Sequence, residues 1–298
     1  MALPARAEVV ALPVRRSPGR ALLAALRPRQ WSKNLLLFAG LVFAEKMGDP
    51  LRWAEASAAF LAYCAASSAG YLVNDVVDAE RDRAHRLKRL RPVARGELST
   101  RAAIAAAGVF AFTAFVLVAP LGLDSVALLG GFLALQGAYT FALKHVVLVD
   151  VLTIAALFVI RAAAGAVAVD VRISPWLLLV TALLALFLAL AKRRSELALS
   201  GSARPVLDGY SLPLVDQLIS VTVASTIAAY AIYTFTAHSP ALMATIPFVV
   251  FGLFRYLLLV HRDDLGEEPE NVLIGDPQLV LAVVGWAVTA ALVLALTG

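Results

Sequence analysis

Long apolar stretches follow one another along almost the whole chain. A helix that crosses a bilayer needs about 20 predominantly apolar residues. Nine stretches of roughly this length predict helices over residues 21–44, 54–77, 102–120, 125–143, 146–169, 175–191, 212–236, 240–260 and 277–297. The connections between them leave no room for a long structureless domain. The pattern therefore predicts an all-α membrane bundle of nine transmembrane helices at 21–298, after a cytoplasmic tail at 1–20.

The composition supports a membrane protein. Hydrophobic residues make up 61% and charged residues 16% of the 298 residues, against roughly 45–50% and about 25% in soluble domains. The mean hydropathy is +0.82. So few charges cannot cover a water-facing surface, which excludes a soluble globular enzyme. Neither end carries a block of like charge, so we expect the lipid bilayer and no nucleic acid as a partner.

The basic residues alternate between two sets of loops, and positively charged loops usually face the cytoplasm. The less basic set carries only Lys46, Arg52 and Arg172. We therefore predict an inner (plasma) membrane protein with a cytoplasmic N-terminus and, after nine helices, an outer C-terminus. Lys88 and Arg194 should be cytoplasmic and His238 outside. The acidic stretch at 263–270 is expected to be a solvated cytoplasmic loop.

Three aspartates stand at the end of the second predicted helix. Asp75, Asp78 and Asp82 have the spacing i, i+3 and i+7, which places them on one face of a helix, with Asn74 on its flank. Carboxylates so close together repel one another unless a divalent cation lies between them. Hard oxygen ligands suit Mg²⁺, which also binds substrate phosphates. The pattern predicts an Mg²⁺ site with these four residues as ligands.

A basic cluster follows, made of His85, Lys88 and Arg91. A metal ion neutralises part of the charge of a phosphate, and Lys and Arg side chains neutralise the rest. Carboxylates followed by such a cluster are therefore typical of a metal-diphosphate site. The alternative is a solvated helix end, in which the acids pair with Arg81 and Arg83.

These residues resemble the first aspartate-rich motif of the UbiA superfamily of intramembrane prenyltransferases. The motif position and the number of apolar stretches fit along essentially the whole chain. The resemblance implies a UbiA-like bundle of nine helices, an active site on the cytoplasmic side and an Mg²⁺-bound diphosphate. The family usually has proline after the motif histidine, where this chain has Arg86, and we expect this to alter only the loop turn.

A second acidic motif is incomplete. In the family it often has two aspartates four residues apart, whereas this chain has Asp150 followed by Ile154. The departure argues against a full second metal site and against ordinary prenylation of an aromatic acceptor. Lys144 and His145 precede Asp150, and they are predicted either to contact a phosphate or to form an interfacial turn.

Three further segments resemble one branch of the superfamily, the decaprenyl-phosphate phosphoribosyltransferases. They are residues 27–34, Arg161 with Gly165, and residues 192–197. This resemblance implies transfer of 5-phosphoribose from phosphoribosyl pyrophosphate (PRPP) to a polyprenyl (decaprenyl) phosphate, with release of diphosphate, for arabinan and arabinogalactan synthesis in the cell envelope. Two substrates with three phosphate sites need many cationic groups, and many basic residues are predicted at the cytoplasmic end of the bundle.

The predicted catalytic residues are Asp75, Asp78, Asp82 and Asp150. The predicted substrate-binding residues are polar or basic, and most stand near cytoplasmic ends of the predicted helices: Lys33, Asn34, Asn74, Arg83, His85, Lys88, Arg91, Tyr139, Lys144, Arg161, Lys192 and Arg193. A homo-oligomer is left open.

Arg161 stands in the middle of a predicted helix, where a charge costs at least about 2.5–3.5 kcal/mol. It should face the bundle interior and find a partner. We expect an ion pair with Asp150, eleven residues earlier, with another buried polar group or a substrate as alternatives.

Two other functions stay open at this point. The same Mg²⁺ site could ionise a polyprenyl diphosphate and alkylate an aromatic or lipid acceptor. A transporter for an anionic solute is the other alternative, but transporters tend to have internal repeats and helices broken at mid-membrane. The aspartate motif is not repeated, and the charges cluster at one face.

Overall fold

The regular structure is entirely α-helical or 3₁₀-helical in the computed structural model, which describes residues 15–43, 48–85, 88–172, 174–198, 205–236, 240–262, 272 and 275–297. Arg86, His238 and the stretch at 263–270 lie outside the described residues. The α-helices are α1 (Pro18–Leu26), α2 (Ala39–Phe43), α3 (Pro50–Val77), α4 (Ala79–Ala84), α5 (Thr100–Val118), α6 (Leu123–Phe141), α7 (Val149–Ala168), α8 (Pro175–Ala198), α9 (Leu212–Thr236), α10 (Ile246–Arg262) and α11 (Pro277–Thr297).

Six helical segments are long and apolar enough to cross a membrane: α3, α5 extended to Leu121, α7, α8, α9, and α10 together with the 3₁₀ turn that begins at Pro240. The predicted all-α membrane bundle is confirmed, whereas the predicted count of nine crossings is not. In the described part of α11, the apolar stretch Pro277–Val293 is shorter than these six.

The first predicted crossing is broken. Helix α1 ends at Leu26, and a 3₁₀ helix follows at Pro28–Phe38 before α2 begins. Arg27 lies between them with φ 54° and ψ 61°. Proline disfavours the α conformation in the preceding residue and donates no backbone hydrogen bond, so the pair Arg27-Pro28 ends the helix.

Small residues bring the broken segment close to α7. Gly165 of α7 faces the backbone of Leu37, whose Cα would lie 2.7 Å from a Cβ at that position. A Cβ on Gly40 would lie 2.8 Å from the Cα of Ala166. Such contacts between backbones are common where membrane helices pack through small residues. The 3₁₀ helix also packs against α3, so it lies between the two helices that carry the aspartates.

The remaining helices pack mainly against their sequence neighbours. Helix α3 contacts α5 and α6, α7 contacts α6 and α8, and α9 contacts α8 and α10, which in turn packs on α11. Since consecutive crossings run in opposite directions, the end of α3, the α6–α7 connection and the α8–α9 connection lie at one end of the bundle. The polar residues meet at that end.

Candidate active site

Two of the three motif aspartates share one guanidinium. Nη1 of Arg91 lies 3.3 Å from Oδ1 of Asp75 and 2.7 Å from Oδ2 of Asp82. Arg27 donates a second charged hydrogen bond to Oδ1 of Asp75 and lies over the ring of Tyr71, with its Cζ 4.9 Å from the ring centroid. Asp75 and Asp82 are buried. The site therefore balances buried negative charge with arginines from two separate segments.

Asp78 faces a different cation. Nζ of Lys144 lies 2.7 Å and 2.9 Å from its two carboxylate oxygens and 3.4 Å from Oδ1 of Asn74. Lys144 belongs to a 3₁₀ turn, Leu143–His145, which precedes α7. This ion pair joins the first aspartate-rich motif to the segment that precedes Asp150.

The expectation of one continuous helix face is wrong. Helix α3 ends at Val77, and Asp78 has φ −90° and ψ 3° before α4 begins at Ala79. Asp82 therefore stands on a separate short helix. Arg91 nevertheless brings Asp75 and Asp82 together from both sides of this break.

The donor atoms suit a divalent cation. Oδ2 of Asp75 is buried and has no hydrogen-bond partner in the part of the chain that the structure describes, which is costly for a carboxylate oxygen and would be relieved by a metal ion. As placed, no three Asp, Glu, His or Cys side chains within the described ranges converge closely enough to hold a metal. Arg27, Arg91 and Lys144 occupy the other oxygens, so a metal site needs these cations to change partners.

Asp150 is buried in the first turn of α7. Its Oδ2 accepts a hydrogen bond from Nε of Arg193 at 2.7 Å, and its Oδ1 accepts one from the hydroxyl of Tyr210, also at 2.7 Å. Arg193 also pairs with Glu196, and its Nη2 lies 3.5 Å from the hydroxyl of Tyr139. Arg193 and Tyr139 are thus joined to Asp150 in one polar cluster.

The expected ion pair between Arg161 and Asp150 is wrong. Eleven residues span about 16 Å along a helix, which is further than the two side chains reach towards each other. Arg161 instead donates to Oδ1 of Asn34 at 2.7 Å and to Oγ of Ser67 at 3.4 Å. Its guanidinium lies over the ring of Phe132, at 4.7 Å. Among the described residues it has no carboxylate partner.

Asn34 and Arg161 are therefore not brought to the aspartates. Their neighbour Ser67 precedes Asp75 by eight residues of α3, or about 12 Å along the axis. Asn34 is itself buried and donates to Sγ of Cys64 at 3.3 Å. This pair lies deeper in the bundle than the acidic motif.

The other predicted residues lie at the end of the bundle that holds the aspartates, in more exposed positions. The backbone N–H of Lys88 donates to Nδ1 of His85 at 3.4 Å, and Nε of the exposed Arg83 donates to the carbonyl of Ala94 at 3.3 Å. Lys33 donates to Oε1 of Gln30. Lys192 directly precedes Arg193 on α8 and is half-buried.

His145 is held neutral beside this site. Its partial burial lowers the pKa of the imidazole, and the positive charges of Lys144 and Arg81 lower that pKa further. A neutral imidazole at pH 7 can accept or donate a hydrogen bond, but it adds no charge for a phosphate.

Two contacts were missed by the sequence reasoning. Arg27 pairs with Asp75, and the only signal for it was its place before Pro28, where a helix must break. Tyr210 bonds Asp150 from a separate segment, and no spacing in the sequence links the two residues.

A cavity lies at the opposite end of the bundle. It has a volume of about 390 Å³ and is lined by residues that include Arg52, Glu55, Asp124 and Asp170. It contains none of the predicted site residues.

Comparison with known proteins identifies the fold and the family. The model of the UbiA prenyltransferase family matches residues 35–274. The chain belongs to this family. It is 32% identical over 286 residues to a decaprenyl-phosphate phosphoribosyltransferase of Mycolicibacterium smegmatis, with 89% of each chain covered. It is 34% identical over 283 residues to the Mycobacterium tuberculosis protein of the same name, with 89% of this chain and 91% of that protein covered.

The fold also resembles that of a UbiA homologue from Archaeoglobus fulgidus bound to DMAPP and Mg²⁺. The TM-score is 0.70 at 19% identity, over 91% of this chain and 96% of that one. This UbiA-family chain is therefore a multi-pass membrane transferase of all-α fold. Its identity of 32% and 34% to the two phosphoribosyltransferases confirms the predicted resemblance to that branch.

Proposed function

We propose that this UbiA-family protein transfers 5-phosphoribose from PRPP to a polyprenyl phosphate such as decaprenyl phosphate. Diphosphate is the second product, and the lipid product is a precursor of cell-envelope arabinan and arabinogalactan. The observation that carries the proposal is the identity of 32% and 34% to decaprenyl-phosphate phosphoribosyltransferases over 89% of the chain.

The cations around the aspartates support a donor with several phosphates. Arg27 and Arg91 contact Asp75, and Lys144 contacts Asp78, so three positive charges are already gathered at one place. We assign them to the donor phosphates, which replace the carboxylates as their partners. Further residues assigned to the phosphates of the two substrates are Arg83, His85, Lys88, Lys33, Lys192, Arg193 and Tyr139.

The aspartates are assigned to Mg²⁺. Asp75, Asp78 and Asp82, with Asn74, would hold the ion, and the unpartnered Oδ2 of Asp75 supports this assignment. A bound Mg²⁺ supplies positive charge that stabilises the departing diphosphate. Asp150 is assigned a different role, because it belongs to the separate polar cluster with Arg193 and Tyr210.

The chemistry needs no strong base. The bond between ribose C1 and the diphosphate oxygen breaks, and its electron pair leaves with the diphosphate. An oxygen of the lipid phosphate forms the new bond to C1, and this nucleophile is already anionic. The protein contributes positioning and stabilisation of the leaving charge, which are large terms in catalysis.

We further propose that the chain crosses the inner membrane nine times. The N-terminus and the site would then face the cytoplasm, from which the water-soluble donor PRPP would reach the site. The excess of basic residues at this end of the bundle supports the orientation.

A prenyltransferase that uses a polyprenyl diphosphate is the second candidate, because the Archaeoglobus fulgidus homologue is bound to DMAPP and Mg²⁺. Purified protein in lipid nanodiscs should be offered labelled PRPP with decaprenyl phosphate, and in parallel labelled polyprenyl diphosphate with an aromatic acceptor. Lipid-extractable label from PRPP alone supports the phosphoribosyltransferase. Label incorporated only from the polyprenyl diphosphate overturns it, and Asp78→Asn protein is the control for background transfer in both arms.

A further inference from the structure

A buried polar cluster joins the start of α7 to the segment before α9. The hydroxyl of Tyr210 donates to Oδ1 of Asp150 at 2.7 Å and accepts the backbone N–H of Leu148 at 2.8 Å. Arg193 occupies the other oxygen of Asp150 at 2.7 Å. Tyr210 and Asp150 are both buried, so these hydrogen bonds are shielded from water.

The backbone that Tyr210 holds has an unusual conformation. Leu148 has φ 67° and ψ −39°. Residues other than glycine rarely adopt a positive φ. Such a conformation persists only where the surroundings fix it. The bond from its N–H to Tyr210 is one such restraint.

A second contact fixes the same connection. Gly209 faces the side chain of Val147 so closely that a Cβ at this position would overlap it. The segment Pro205–Gly209 and the following tyrosine therefore contact the α6–α7 connection at both Val147 and Leu148.

The connection held in this way carries Lys144. Its ammonium lies 2.7 Å and 2.9 Å from the oxygens of Asp78, although the two residues belong to different helical segments. Lys144 is four residues before Leu148, so the conformation at Leu148 helps to determine where the ammonium lies.

We propose that Tyr210 is a positioning residue, which holds the α6–α7 connection so that Lys144 reaches the site of the donor diphosphate. Asp150 acts with it by accepting a hydrogen bond from its hydroxyl, and it is a structural anchor for this connection. The inference rests on the proposed function, since it takes Lys144 as a ligand of the donor. Burial and the hydrogen bond to Asp150 both raise the pKa of Tyr210, so the hydroxyl stays protonated at neutral pH.

The test is the variant Tyr210→Phe, which removes the hydroxyl and keeps the ring. Tyr63→Phe is the matched control, because the hydroxyl of Tyr63 is buried with no hydrogen-bond partner among the described residues. We expect Tyr210→Phe to raise the KM for PRPP about fivefold to tenfold with a small change in kcat, since the hydrogen bonds of the hydroxyl to Asp150 and from Leu148 are lost. The control should have wild-type constants, and both proteins should melt cooperatively.

A double-mutant cycle shows whether Tyr210 acts through Lys144. If it does, the KM of Tyr210→Phe/Lys144→Ala equals that of Lys144→Ala alone. The inference is overturned if the two substitutions raise the KM for PRPP multiplicatively, or if Tyr210→Phe has wild-type kinetic constants. Failure of the proposed function would be distinct from either result, because the wild-type protein would then not use PRPP at all. The same cycle would in that case be measured with the polyprenyl diphosphate donor.

Discussion

At the scale of single residues, the site is a set of carboxylates and basic side chains that form ion pairs with one another. Arg91 bridges Asp75 and Asp82, and Lys144 covers both oxygens of Asp78. A donor diphosphate with Mg²⁺ can replace these pairs, because the phosphates become the partners of the cations and the metal becomes the partner of the carboxylates. Until the donor binds, these ion pairs hold the carboxylates and the basic side chains in place.

Asp78→Asn should abolish most of the activity without unfolding the protein. Asparagine keeps the shape of the side chain, and both Asp78 and Lys144 are partly exposed, at 19% and 11%, so water can solvate the ammonium that loses its carboxylate. Loss of a contact to the leaving group, worth roughly 3 kcal/mol, lowers kcat/KM more than a hundredfold. Residual activity should need more Mg²⁺. Asp124→Asn, in the first turn of α6 at the opposite end, is the control. Wild-type turnover of Asp78→Asn would contradict the metal assignment.

Arg161 and Asn34 should be needed for stability and not for binding the donor. Arg161→Ala removes a buried side chain that holds Asn34 and Ser67, which should cost about 3 kcal/mol of unfolding free energy. Thermal melting in detergent measures the loss, and the KM for PRPP of the protein that folds should be unchanged. A stable Arg161→Ala protein with a greatly raised KM would instead place Arg161 in the donor site.

At the scale of the helices, the broken first crossing is what brings Arg27 to Asp75. The break at Arg27-Pro28 and the 3₁₀ helix that follows lie between α3 and α7. This packing depends on Gly165, which leaves room for the backbone of Leu37. The segment therefore supports the site through its packing on both helices.

Gly165→Ala should destabilise the protein, because the added methyl group would overlap the carbonyl of Leu37. Gly130→Ala on α6 is the matched control, since nothing lies within 4 Å of a Cβ there and alanine is the better helix former by about 1 kcal/mol. Melting temperatures of the two variants in one detergent should move in opposite directions. Equal shifts would contradict the close packing of α7 on the 3₁₀ helix.

The sequence predicted the positions of the helices better than the contacts between them. The apolar stretches placed α3, α5, α6, α7, α9 and α11 to within four residues, because membrane crossings need a nearly fixed length, whereas α8 runs seven residues beyond its predicted end. The end of α3 at Val77 agrees with the end of the second apolar stretch, but the i, i+3, i+7 spacing alone could not show that Asp82 stands on a separate helix. The predicted partner of Asp150, Arg161, was also wrong, because the choice between Arg161 and Arg193 depends on how α7 and α8 pack.

At the scale of the whole molecule, the polar residues lie at one end of an apolar bundle. A lipid substrate can place its phosphate at this end while its tail remains among the helices or in the bilayer. The orientation of the bundle then determines whether a donor from the cytoplasm can reach this end.

Cysteine labelling tests the orientation. The only native cysteine, Cys64, is buried, so it gives little background. Lys88→Cys should be labelled by an impermeant reagent only after the cells are permeabilised, whereas Arg172→Cys should be labelled in intact cells. Labelling of Lys88→Cys from outside would reverse the orientation and place the site on the wrong side for PRPP.

The central claim is that the aspartates bind the donor diphosphate through Mg²⁺. Equilibrium binding of labelled PRPP to the purified protein measures this without any turnover. We expect binding with Mg²⁺, and a loss of at least about a hundredfold in affinity both in EDTA and in the Asp78→Asn protein, because carboxylates and diphosphate repel each other without the metal. Equal affinity for PRPP with Mg²⁺ and with EDTA would contradict the account.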